Sequence, residues 1–115
     1  MNDINIYHIL IGSGSKPLAE YSQFQSELIK VCEKYLSLCK PGSSFITHID
    51  YRIYYLNEDN ITYMIMTNTT YPIPAAVACL ESMKKEYGSI LNGRNFSKLI
   101  NYGLNSELKE KLKMK

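Results

Sequence analysis

Tyr51-Arg52-Ile53-Tyr54-Tyr55-Leu56-Asn57-Glu58-Asp59-Asn60-Ile61-Thr62-Tyr63-Met64-Ile65-Met66-Thr67 is the stretch whose pattern decides the fold. Its first part alternates Tyr51, Ile53 and Tyr55 with Arg52, Tyr54 and Leu56; its last part alternates Ile61, Tyr63 and Ile65 with Thr62, Met64 and Met66. A period of two in β-branched and aromatic residues marks strands, because successive side chains leave opposite faces of a sheet. Asn57-Glu58-Asp59-Asn60 between them is a run of turn formers, so the two strands make a hairpin. The sheet built on it is therefore mostly antiparallel.

Upstream, Ser44 to Ile49 with Phe45-Ile46-Thr47 reads as a third strand. Ile4 to Ile11 is apolar on both faces and belongs in the interior of the sheet. Gly12-Ser13-Gly14-Ser15 turns it back into a short strand over Lys16 to Tyr21. Between these pairs, Ser22-Gln23-Phe24-Gln25 forms a capping box for a helix running to about Cys39, before Pro41-Gly42. At about 100° per residue, Phe24, Leu28, Val31, Tyr35 and Leu38 share one stripe, flanked by Cys32 and Cys39. Ile29 and Leu36 widen the apolar arc beyond what a single sheet contact needs.

Downstream, Tyr71-Pro72-Ile73-Pro74 opens a helix whose first turn tolerates prolines. Ile73, Ala76, Leu80, Met83 and Tyr87 share its face, and Gly88 is expected to stop it. Ser89 to Tyr102 is ambiguous, and Asn105 or Ser106 caps a last helix striped by Leu104, Leu108 and Leu112. The order β-β-α-β-β-β-α-α predicts one α+β domain over residues 1–115, with one helix on one face of the sheet and the others opposite or alongside.

The composition is that of an ordinary globular domain, 45% hydrophobic and 21% charged, with net charge +2. Its 10 tyrosines against no Trp and 3 Phe suit a sheet face or a half-wet interface. No basic stripe interleaves with aromatics, so nucleic acid is not an expected partner. Cys32, Cys39 and Cys79 are odd in number and lack disulfide or metal spacing, which fits a reducing compartment. Met1-Asn2-Asp3 is no secretory signal, and the apolar runs are too short to span a bilayer.

No constellation carries catalysis. Gly12-Ser13-Gly14-Ser15-Lys16 lacks the phosphate-loop spacing and precedes a strand. His8 reads as a packed strand residue, and His48 with Asp50 has no nucleophile to serve. No metal ligand set closes around His48. Lys109 to Lys115 reads as a solvated helix end. The chain is expected to be no enzyme, with no catalytic residue, cofactor or metal. Binding has a clearer basis. If the strand carrying Phe45 and Ile46 is a sheet edge, its free backbone groups and the Ile29/Leu36 flank would form a groove for an extended peptide. The competing reading is that these four residues simply complete the core.

Several segments in order resemble the longin domains of synaptobrevin-like R-SNAREs. Ile9-Leu10-Ile11-Gly12 with Leu18-Ala19-Glu20-Tyr21 resembles their opening hairpin, and Asp50-Tyr51 to Met66-Thr67 their central one. Ala76-Val77-Ala78-Cys79-Leu80-Glu81-Ser82-Met83-Lys84-Lys85-Glu86-Tyr87 resembles their second helix, and Tyr102-Gly103-Leu104-Asn105-Ser106-Glu107 the approach to their last. The resemblance covers essentially the whole chain. It implies a profilin-like fold, a five-stranded antiparallel sheet sandwiched by one helix on one face and two on the other. It implies a regulatory N-terminal domain at the cytoplasmic face of a vesicle or endomembrane, controlling fusion and sorting. Its partners would be the protein's own SNARE motif by autoinhibitory fold-back, other SNAREs, and coat or adaptor proteins. The implied groove comprises Ile29, Leu36, Phe45, Ile46 and Thr47. Leu104-Leu108-Leu112 is too brief for a SNARE motif, and neither a membrane anchor nor a prenylation box follows it. The expectation is thus a domain of a longer chain anchored beyond Lys115. The alternative is a stand-alone longin-like subunit of a tethering complex or clathrin adaptor.

Overall fold

The computed structural model of the protein describes residues 6–14, 16–22, 27–49, 51–58 and 60–91. Five strands form one sheet: β1 (Ile6–Ser13), β2 (Lys16–Ser22), β3 (Gly42–His48), β4 (Tyr51–Glu58) and β5 (Ile61–Asn68). Helix α1 (Glu27–Leu36) joins β2 to β3, and α2 (Ile73–Leu91) follows β5. The strand order is β2-β1-β5-β4-β3, with every neighbouring pair antiparallel. The expected antiparallel sheet of five strands is present. β1 lies inside it, and β5 at its centre is buried at every position from Ile61 to Thr67.

Alternation along the strands divides the core into two clusters, one to each side of the sheet. Ile9, Ile11, Tyr54, Leu56, Tyr63 and Ile65 gather with Ala76, Leu80, Met83, Tyr87 and Leu91 of α2. Leu10, Ile53, Tyr55, Met64 and Met66 gather with Cys32 and Leu36 of α1. Each fully buried Ile, Leu or Met contributes about 1.5–3 kcal/mol over its exposed state. Buried hydroxyls on the central strand are satisfied locally: Asn57 Nδ2 donates to Thr62 Oγ1 at 2.9 Å, and Thr67 Oγ1 donates to the Asn68 carbonyl at 2.9 Å.

Tight connections hold the register. Ser13 pairs with Lys16 around Gly14, whose φ of 59° a glycine takes without strain. Glu58 pairs with Ile61, so the turn between β4 and β5 is shorter than the sequence implied, with Asn60 at φ 65°. Pro17 sits in edge strand β2, where a missing N–H is tolerated.

Three expectations about the helices change. Helix α1 ends at Leu36, followed by a turn in which the Leu38 N–H bonds the Tyr35 carbonyl at 3.0 Å. Leu38 is consequently 58% exposed, and the buried arc centres on Cys32 and Leu36 rather than on the stripe through Leu38. Helix α2 runs through Gly88 to Leu91: Gly88 does not take the left-handed conformation that caps a helix, and Leu91, one turn beyond Tyr87, is buried. Ile73 leaves the buried stripe; it opens α2 and is 48% exposed. Ser22 ends β2 opposite His8. Gln25, Ile4 and the expected last helix with Leu104, Leu108 and Leu112 lie outside the described residues.

Candidate protein-binding edge

β3 is an edge strand: β4 pairs with one side of it, and its other side carries no strand among the described residues. Gly42, Ser43 and Ser44 are exposed, as are Phe45 and Thr47. Among the described residues no strand covers this edge, and an uncovered edge offers backbone donors and acceptors to an added strand.

The two sides of the edge differ. Phe45 pairs with Tyr54 and Thr47 with Arg52, which places all four on the α2 side of the sheet. The Phe45 and Tyr54 rings meet at 5.6 Å between centroids, tilted by 47°. The Arg52 guanidinium carbon stands 4.8 Å from the Phe45 centroid and 5.9 Å from that of Tyr54, a cation over an aromatic shelf. Arg52 Nη1 donates to the Tyr54 hydroxyl at 3.1 Å, and that hydroxyl donates to the Tyr71 carbonyl at 3.4 Å. Beside the shelf, Phe45, Tyr54, Leu56, Ile73, Val77 and Leu80 line a cavity of about 190 Å³, with exposed Glu81 also on its wall.

On the α1 side, Ile46 pairs with Ile53 and is half-buried against the cluster that holds Leu36. Leu36 itself is 1% exposed and packs over Gly12. Of the five residues the sequence grouped as a groove, Phe45 and Thr47 are exposed on one side, Ile46 and Leu36 lie on the other, and Ile29 belongs to α1. Phe45 and Ile46 are neighbours on a strand, so alternation separates them. Arg52, Ile73 and Val77 were missed as edge residues. A signal existed for Arg52: it is the only Lys or Arg in the three strands β3 to β5.

Burial holds His8, Cys32 and Cys39 in their neutral forms. Burial lowers the His8 pKa from 6.5 to about 4, so the imidazole is neutral at pH 7, with Nε2 3.5 Å from Glu20 Oε2. Burial pushes the Cys32 thiol up to about 12, with Glu20 and Glu33 adding to the shift, and the Cys39 thiol to about 11. Neither is a thiolate nucleophile at neutral pH. Cys32, Cys39 and Cys79 are in no disulfide, and no cluster of three potential metal ligands occurs among the described residues. No helix among them is long and apolar enough to cross a membrane.

The described residues thus form a five-stranded antiparallel sheet with a helix packed in each of its two core clusters and β3 at one edge. The family model of the longin, or regulated-SNARE-like, domain matches residues 18–112, and the chain belongs to that family. It is similar to the vesicle-associated membrane protein 7B of Dictyostelium discoideum, with 24% identity over 109 residues. That alignment takes in 93% of this chain and 42% of the relative, so the chain spans less than half the relative's length. Proteins of this family act in membrane traffic and are, in general, not enzymes.

Proposed function

We propose that this domain is the regulatory N-terminal module of an R-SNARE, acting in vesicle fusion and sorting by holding polypeptide segments against its β3 edge. The observation that carries this reading is the edge itself, where Phe45 is 43% exposed beside backbone that no further strand pairs with among the described residues. An aromatic of that exposure at the end of a sheet is a candidate anchor, since buried aromatics dominate binding energy. The likeness to vesicle-associated membrane protein 7B supports the assignment to an R-SNARE. In this reading a SNARE motif and a membrane anchor follow the domain. The protein's own SNARE segment then competes with other SNAREs and with coat or adaptor proteins for the edge, at the cytoplasmic face of a vesicle. A last helix would join α2 on its side of the sheet, leaving α1 alone on the other.

The test is a titration. The segment encoded beyond Lys115 is expressed separately and added to residues 1–115 labelled with ¹⁵N. Saturable shifts of β3 amides are expected, and are lost with Phe45→Asp. Saturation without any β3 shift places binding elsewhere and removes the edge from the mechanism. An absence of heptads downstream would replace the SNARE reading with that of a separate trafficking subunit.

A further inference from the structure

The Arg52 shelf and the neighbouring cavity have a charge and a shape that the edge alone does not explain. Arg52 forms no salt bridge among the described residues, where Lys84 pairs with Glu58. The buried Arg52 Nε finds no acceptor among the described residues, while its position is held by two rings and the Tyr54 hydroxyl. A half-buried guanidinium with donors left over is poised for a carboxylate, which binds it in a fork. Four residues along β3 on the same side, at Ser43, the edge borders the apolar cavity instead. The cavity carries Glu81, which repels an acid placed there.

From these placements we infer that the edge selects an extended peptide of a partner protein carrying an acidic side chain opposite Thr47 and an apolar one opposite Ser43. The peptide adds to β3 as a sixth strand, its acid paired with Arg52 and its apolar side chain seated between Phe45, Ile73 and Val77. This rests on the reading of β3 as a binding edge and deepens it by naming the recognised pattern. A helix would not satisfy the edge backbone, whereas a strand does so and sends alternate side chains to the α2 side. The two sites stand four residues apart on that side, the separation of Ser43 from Thr47. Charge sets the direction in which the pattern must run along β3, because Arg52 and Glu81 stand at opposite ends of it.

The probe is a fluorescein-labelled, capped peptide, Thr-Leu-Thr-Val-Thr-Glu-Thr, made also in reversed order so that parallel and antiparallel additions are both sampled. Its partner probe has Lys in place of Glu. Fluorescence anisotropy with residues 1–115 should show the Glu peptide of one order binding about tenfold tighter than its Lys counterpart, as expected for a charge pair sheltered from solvent. Arg52→Glu should reverse that preference, and Arg52→Gln should abolish it without reversal. Val77→Asp should weaken both peptides. Thermal melts of each variant identify any that fail to fold; Arg52→Gln, which keeps a donor and adds no charge, carries the test if Arg52→Glu is one of them. Equal binding of the Glu and Lys peptides, or a preference untouched by Arg52→Gln, would overturn the inference even if the SNARE segment still shifts β3. If neither peptide nor SNARE segment engages β3, the edge reading itself falls, and this inference with it.

Discussion

Leu36 lies so close over Gly12 that a Cβ on residue 12 would stand 2.6 Å from Leu36 Cδ2 and 3.0 Å from the Lys16 carbonyl oxygen. The missing side chain lets α1 descend onto β1, at the point where the β1–β2 register shifts between Ile11 and Gly12. Gly12→Ala should therefore destabilise the domain by about 1–3 kcal/mol, the usual cost of overpacking. Urea denaturation measures it. In a Leu36→Ala background only the Lys16 carbonyl still crowds the added methyl, so the second change should cost clearly less than in the parent. Equal costs in the two backgrounds would mean that Leu36 does not rest on Gly12.

This contact marks how far the sequence could be read. Tyr51–Leu56 and Ile61–Thr67 are long β-branched and aromatic runs separated by turn formers, so the central hairpin emerges from pattern alone. The approach of Leu36 to Gly12 could not, since periodicity describes one element at a time and says nothing about the distance between two. Gly88 misled for a related reason: a glycine stops a helix only where the chain turns left-handed, and burial of Leu91 favours carrying on. At the edge, Phe45 and Ile46 were grouped by adjacency although a strand sends them to opposite sides. The shelf of Arg52 on Phe45 depends on which strands are neighbours, and no local pattern encodes that pairing.

Ile49, in the turn between β3 and β4, has a φ of 55° and is 78% exposed. The other positive values among the described residues belong to Gly14, Gly42 and Asn60, which take them at little cost. A β-branched side chain there is strained by about 1–2 kcal/mol, with no burial to offset it. Ile49→Asn should raise stability by about 1 kcal/mol and the melting temperature by roughly 4 °C. Calorimetry that finds no gain would place this residue in ordinary backbone geometry.

Acid should weaken the domain through His8. Burial lowers its folded pKa to about 4, below the unfolded value near 6.5, so the unfolded chain takes up the proton first. The stabilising contribution is complete above the unfolded pKa and declines as pH falls from about 6.5 to about 4. The loss over that window is on the order of 3 kcal/mol. His8→Gln should flatten this portion of a stability–pH profile measured by urea denaturation. An unchanged slope in the variant would assign the acid sensitivity to other groups.

Phe45 and Leu36 should separate binding from folding. Phe45 is 43% exposed on the edge, so Phe45→Asp removes an aromatic surface and sets a carboxylate near Arg52 without burying a charge. Its melting temperature should fall by no more than a few degrees, while affinity for the downstream SNARE segment drops at least about tenfold, as for a hot-spot aromatic. Leu36 is 1% exposed, and Leu36→Asp would bury a carboxylate against Leu10, Ile53 and Met64. That change should cost more than about 4 kcal/mol and leave little folded protein. Circular dichroism with calorimetric titration reads both quantities on the same samples. If Phe45→Asp unfolds the domain, Phe45 is a structural residue. If it folds and binds undiminished, the partner docks away from β3; if Leu36→Asp stays folded yet loses binding, the surface to search is that of α1.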